Sequence, residues 1–135
     1  MIKKIIPLVL ALTIISMLFV GCNTSDSTQS NITMTTEKST YSTDVEKIVC
    51  KLTNNTEEKL TYGQDYKLFK FENGNFTEVS PKNDGVEDIA YILEPNETDD
   101  VTYNVAYKYG SLEAGEYKIS INVEKNEVTC QFTIE

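Results

Sequence analysis

The chain of 135 residues sets 12 cationic side chains, all of them lysine, against 21 acidic ones for a net charge of −9, and it contains no histidine, no tryptophan and three cysteines. The acidic balance excludes nucleic acid as a partner, because such binding needs cationic surface to release counterions, and it opposes lying flat on an anionic membrane. Without histidine or arginine there is no ordinary Ser-His-Asp or Cys-His machinery, no imidazole metal ligand and no bidentate phosphate clamp, so no catalytic residue, metal site or cofactor is expected.

The first segment, residues 1–21, places Lys3 and Lys4 ahead of a nearly unbroken apolar run, Ile5 to Val20, and ends Phe19-Val20-Gly21 just before Cys22. A basic start, an apolar stretch and a small residue at the cleavage point are the pattern of a secretory signal. A membrane-spanning helix is the alternative, but it needs about 20 apolar residues, and Pro7, Thr13 and Ser16 interrupt this shorter run. The segment resembles a bacterial lipoprotein signal peptide with its lipobox, with Phe19 where leucine is more usual. The resemblance implies that residues 1–21 are removed and that Cys22 carries a diacylglyceryl thioether, anchoring the chain to the extracytoplasmic side of the cell membrane. At about 0.8 kcal/mol per buried CH₂, two long acyl chains contribute on the order of 20 kcal/mol. Residues 22–31 continue without an apolar side chain after the cysteine. They read as a disordered tether with an r.m.s. span of about 15–18 Å.

Residues 32–135 are the right size for one domain with a real core. Freed of Lys3 and Lys4, the mature chain has ten lysines against 21 acidic residues, a net charge of −11. Its pattern is short strands and turns. Ile32, Met34 and Thr36 share one face. In Val45–Thr53, Ile48, Cys50 and Leu52 point inward while Lys47, Val49 and Lys51 point outward. Asn54–Lys59 is a polar turn, and Leu60–Tyr62 is a short strand broken by Gly63. Tyr66–Glu72 and Phe76–Val79 flank Asn73-Gly74, a hairpin signal because both residues adopt positive φ cheaply. Ser80–Glu87 is a loop, Asp88–Leu93 alternates through Ile89, Tyr91 and Leu93, and Pro95-Asn96-Glu97 turns. Thr98–Tyr107 reads as one strand through Val101, Tyr103, Val105 and Tyr107. After the connection Tyr109–Gly115, Tyr117, Ile119, Ile121 and Val123 alternate. Lys125-Asn126 turns, and Val128, Cys130, Phe132 and Ile134 form the last inward face. Seven to nine antiparallel strands at turn spacings near ten residues, with no helix pattern, predict an all-β Greek-key sandwich or a barrel.

Leu112 and Gly115 precede Tyr117 at the start of the penultimate strand, the setting of a tyrosine corner in which the hydroxyl bonds upstream backbone; an ordinary strand tyrosine is the alternative. The runs Lys47–Thr56, Thr61–Leu68, Asp88–Glu97 and Leu112–Tyr117 together resemble the bacterial Ig-like domains of secreted and lipid-anchored proteins of low-GC Gram-positive bacteria. That resemblance spans about residues 32–135. It implies an immunoglobulin-like sandwich and no established catalysis, and its motifs specify no activity. Cys50 and Cys130 stand where aliphatic residues are more usual in such strands.

With Cys22 lipidated, Cys50 and Cys130 remain as an even pair, both inward by alternation. A disulfide between them would close a loop of about 80 residues, worth about 4 kcal/mol in the chain-entropy model; two separate buried thiols acting as small hydrophobes is the other reading. Lys82, Asn83, Asp84, Gly85 and Glu87 form the candidate interaction loop. With Asp88 its carboxylates, like the pair Asp99 and Asp100, could offer oxygen ligands to Ca²⁺, but the spacing matches no EF-hand loop and a solvated acidic loop is favoured. Tyr91, Tyr103, Tyr107 and Tyr117 are expected in or beside the core; Tyr62, Tyr66 and Tyr109, near loops, are the better candidates for an exposed patch, which is the less favoured reading of the tyrosines. The functional expectation is a non-catalytic binding or accessory domain, tethered to the membrane through Cys22, with a protein or cell-envelope ligand held by a loop or an edge strand. The alternative is a protease inhibitor presenting the Ser80–Glu87 loop. Nothing in the sequence sets the ligand or the oligomeric state.

Overall fold

The structure is a computed structural model that describes residues 31–85 and 87–135; the leader, Cys22 and all of the tether but Asn31 lie outside them. In chain order the elements are β1 (Ile32–Thr36), β2 (Thr40–Tyr41), β3 (Ile48–Asn54), β4 (Leu60–Gly63), β5 (Lys67–Glu72), β6 (Asn75–Glu78), β7 (Ala90–Leu93), β8 (Thr98–Tyr103), α1 (Val105–Tyr109), β9 (Gly115–Val123) and β10 (Asn126–Ile134). They form two sheets, ordered β1-β3-β8 and β2-β10-β9-β4-β7, with β5 also on β9 and β6 on β5. The fold is therefore an all-β, Ig-like sandwich of ten strands, one beyond the expected range, the extra one being the two-residue β2.

The core is what the period-2 pattern puts between the sheets. Ile32 and Met34 of β1, Ile48, Cys50 and Leu52 of β3, and Val101 and Tyr103 of β8 are buried from one side. Tyr117, Ile119, Ile121 and Val123 of β9 and Val128, Cys130, Phe132 and Ile134 of β10 are buried from the other. The β5–β6 hairpin turns at Asn73 (φ 53°) and Gly74 (φ 84°), the double positive φ that the Asn-Gly pair tolerates.

Several expectations need correcting. β2 pairs with β10 in parallel, through Thr40 with Thr133 and Tyr41 with Ile134, so the sheets are not wholly antiparallel. The strand expected to run through Tyr107 ends at Tyr103, and the chain turns into helix α1. Asn104 caps it: its side chain accepts from the Tyr107 N–H at 3.1 Å, and Val105, Lys108 and Tyr109 then fall on one buried face at helical spacing. In β7 only Leu93 of the alternating set is buried, because the strand lies at the sheet edge and Ile89 and Tyr91 overhang it. The final hairpin turns at Glu124 (φ 53°) and Lys125, one residue earlier than expected. Asn54, expected in a polar turn, is the buried end of β3.

One irregularity positions the site described next. β4 and β5 both pair with β9, at Tyr62–Val123 and at Lys67–Ser120 to Lys70–Tyr117, so they are one strand interrupted at residues 64–66. Among the described residues no helix is long and apolar enough to cross a membrane.

Candidate functional site

The interruption at Gln64-Asp65-Tyr66, helix α1 and the loop 80–89 converge at one end of the sandwich. Together they enclose two neighbouring cavities of about 260 and 450 Å³ that share Gln64, Tyr66, Glu87 and Lys108. The loop is fastened to the helix: the Lys82 and Asn83 N–H groups both donate to the Lys108 carbonyl, at 2.7 and 3.2 Å, and Asn83 Nδ2 donates to the Tyr107 carbonyl at 2.7 Å.

Lys108 is the pivot of this end. Only 8 % exposed, it sends its ammonium to Asp65 Oδ1 at 2.8 Å and to the Tyr66 carbonyl at 2.6 Å, with the Tyr66 ring centroid 4.6 Å away. A buried cation needs such a set of partners to offset desolvation. The Tyr109 hydroxyl accepts from the Leu68 N–H at 3.0 Å, and burial pushes its phenol up to about 12 despite that bond. Burial likewise drives Tyr66 and Tyr103 well above the ordinary tyrosine value, and neither hydroxyl finds a hydrogen-bond partner among the described residues. Asp84, Glu87 and Asp88 rim the cavities and have no ion-pair partner among the described residues, whereas Lys67 is engaged by Glu78 at 3.4 Å. The rim is thus acidic.

The tyrosine expectation holds in part. Tyr62, Tyr66 and Tyr109, the candidates for an exposed patch, are buried; of the four tyrosines expected in or beside the core, Tyr103 and Tyr117 are buried, while Tyr107 is 56 % exposed and Tyr91 overhangs β7. Tyr62 is drawn inward by its stacking on Tyr91 at 5.4 Å and by a 3.0 Å bond from its hydroxyl to Asp99 Oδ2. Among the described residues the exposed large apolar side chains are Tyr91 and, at 61 %, Ile92 of the edge strand β7, Ile89 just before it, Tyr107 beside the loop, and Phe71 on the β5–β6 hairpin. The signal available in the sequence was the unbroken apolar run Ala90-Tyr91-Ile92-Leu93, which one buried face does not account for; its place at the edge comes from the sheet order.

The other singled-out residues fall elsewhere. The Tyr117 hydroxyl donates to the Glu113 carbonyl at 2.8 Å, four residues upstream; Leu112 is buried nearby and Gly115 starts β9 at φ 152°. Cys50 of β3 and Cys130 of β10 face each other across the sandwich with their sulfurs 3.6 Å apart, both as thiols. Asp100 pairs with Lys51 at 2.9 Å. Among the described residues no group of three or more His, Cys, Asp or Glu is arranged to hold a metal.

Asn54 is a residue whose importance the sequence pattern concealed. Fully buried, it donates through Nδ2 to the carbonyls of Glu58, Leu93 and Glu94 and accepts through Oδ1 from Thr56 N–H and Thr56 Oγ1–H. It therefore fastens the end of β7 to β3 and the following turn.

A family model described as a bacterial Ig-like domain matches residues 28–133. No curated protein matches the chain. Solved structures with a similar course include the archaellum periplasmic stator protein FlaG from Sulfolobus acidocaldarius, at 17 % identity and a TM-score of 0.44 over 75 % of this chain and 99 % of that one. The Pseudomonas fluorescens alkylpurine DNA glycosylase AlkC gives 10 % and 0.45 over 78 % of this chain and 30 % of that one. A PapD-like domain of human CEP192 gives 9 % and 0.34 over 77 % and 82 %. These likenesses are too distant to bear on function.

Proposed function

This chain belongs to the bacterial Ig-like domain family, and from that premise we propose that it is a non-catalytic binding module held outside the cell membrane by lipid on Cys22. Domains of this kind are generally non-catalytic, and what they do rests on the surfaces they carry. The observation that carries the reading is strand β7. It lies at the edge of the larger sheet, it exposes Ile92 on its outer face and part of the Tyr91 ring on the other, and Asp84, Glu87, Asp88 and Glu94 flank it.

An exposed edge strand offers unpaired backbone groups to an incoming strand, and alternate side chains supply the selectivity. The other edges are less suited: β1 alternates buried Ile32 and Met34 with threonines, β2 has two residues, β8 displays Asp99 and Asp100, and β6 sets one half-buried phenylalanine among Asn75, Thr77 and Glu78. The ligand that fits β7 is an extended, apolar segment with basic flanks, belonging to a protein of the cell envelope. Such flanks meet the acidic rim, which raises the association rate and fixes register more than it adds affinity. The tether supports the same picture, because it lets an acidic domain stand off an anionic lipid surface.

A photoreactive residue placed at Ile92 in the full chain tests this in intact cells. A discrete crosslinked adduct is expected at Ile92 and not at the outward Lys118 of β9. The adduct should disappear when Ala90→Pro removes an edge donor. Equal adducts at both positions, or one that survives Ala90→Pro, would remove the edge-strand reading.

A further inference from the structure

Cys50 and Cys130 come from different sheets, 80 positions apart, and their sulfurs touch at 3.6 Å in the centre of the sandwich. We propose that they form an oxidisable pair in which Cys130 reacts first and Cys50 closes an intersheet disulfide. Three features of the geometry support that order.

The first is access. Cys130 is 6 % exposed and contributes to the wall of a cavity of about 360 Å³ shared with Met34, Thr36, Ser39 and Gln131, whereas Cys50 has no exposed surface. An oxidant reaching the pair therefore meets Cys130. The second is polarity. Either thiol can donate the S–H···S bond; when the more exposed Cys130 ionises, Cys50 is the donor and that bond stabilises the Cys130 thiolate against the effect of burial. The thiolate is the attacking species in exchange. The third is proximity: the closing step needs the two sulfurs to approach by only about 1.6 Å.

The chemistry is thiol–disulfide exchange with a disulfide-bearing oxidant, either a small-molecule disulfide or an oxidised dithiol protein. The Cys130 thiolate attacks one sulfur of the oxidant, forming a mixed disulfide and expelling one thiolate. Cys50 then loses its proton to water, attacks the Cys130 sulfur and expels the second thiolate. Two protein thiols are oxidised, the oxidant's disulfide is reduced to two thiols, and two electrons pass between them. The product clamps β3 to β10 and closes a loop of 80 residues, which shifts Tm upward by on the order of 10–20 °C relative to the reduced form.

The test uses the full chain purified in detergent under reducing conditions and then exposed to glutathione disulfide. The wild type should lose both titratable thiols with no retained glutathione, and reductant should reverse its gain in Tm. Cys50→Ser should accumulate a glutathione adduct at Cys130, and Cys130→Ser should stay unmodified in the same time. Wild type that keeps two alkylatable thiols, or an adduct that forms faster on Cys130→Ser than on Cys50→Ser, overturns the proposal. The wild-type measurement stands even where a variant fails to fold. Because Cys22 is a third thiol wherever the lipid is absent, the thiols and adducts are assigned by peptide mapping at Cys50 and Cys130 alone, so failure of the anchor and failure of the pair are separable.

Discussion

Asn54→Ala should be among the most costly polar substitutions in the domain. Nδ2 has two hydrogens to share among the carbonyls of Glu58, Leu93 and Glu94, and Oδ1 accepts twice from Thr56, so four bonds are lost. Four of the groups left behind, the Thr56 N–H and hydroxyl and the Glu58 and Glu94 carbonyls, belong to exposed or half-buried residues and can regain water; each bond lost there costs about 0.5–1.5 kcal/mol. Leu93 is fully buried, and its carbonyl is orphaned at about 1–3 kcal/mol. The total is about 3–4 kcal/mol, a large share of the roughly 5–15 kcal/mol expected of a domain this size. With a urea m-value of about 1.5 kcal/mol per molar, the midpoint should fall by about 2 M at unchanged slope. Hydrogen exchange should also quicken in β7, since Asn54 holds the end of that strand. Asn54→Asp keeps the acceptor for Thr56 but aims a negative charge at three carbonyl oxygens, so at pH 7 it should lose at least as much as Asn54→Ala. A midpoint shift below about 0.5 M for Asn54→Ala, or Asn54→Asp matching wild type, would refute the reasoning.

Other outcomes follow from the same contacts. Tyr117→Phe removes the 2.8 Å bond to the Glu113 carbonyl and nothing else, and should cost about 1–2 kcal/mol by urea titration. Lys108→Ala should cost more than Lys108→Met, because the methionine refills the space between Tyr66 and Tyr109 that the lysine stem occupies; equal losses would show that the bond to the Tyr66 carbonyl carries the whole effect. Tyr66 and Tyr103 have phenols raised by burial, so the native state binds their protons more tightly than the unfolded chain. Their contribution is intact below about pH 10 and is lost above it, at up to ~1.4 kcal/mol per pH unit for each; Tm followed from pH 9 to 11 should drop steeply, and less so in Tyr103→Phe. Ile92→Lys should change stability by less than about 0.5 kcal/mol, because the side chain is mostly exposed, while abolishing capture of a partner.

Much of the fold was legible because alternation is a physical consequence of placing one face of a strand against a core. Ile48-Val49-Cys50-Lys51-Leu52 and Val128 to Ile134 bury every second side chain as their pattern requires, and Asn73-Gly74 turns where its backbone freedom allows. The failures share one cause: period-2 spacing does not reveal where a strand sits in its sheet or where it stops. Tyr103, Val105 and Tyr107 alternate, yet Asn104 caps a helix between them, and only Val105, Lys108 and Tyr109 read together expose the helical spacing. Tyr62 and Tyr66 flank a turn and so read as the better candidates for exposure, but β4 and β5 continue one interrupted strand, and that continuity draws both rings inward. The candidate site was half visible. The loop 82–87 was apparent from composition, but its partners Lys108 and Asp65 come together only through long-range packing. The β7 edge required the sheet order, which no local pattern contains.

The most direct test of the central claim is metabolic labelling with a clickable fatty acid, followed by protease treatment of intact protoplasts. The account predicts that wild-type chain is labelled, that Cys22→Ala is not, and that the labelled domain is digested from outside. An unlabelled wild type still carrying residues 1–21, or a labelled domain protected from protease until the membrane is opened, would contradict it.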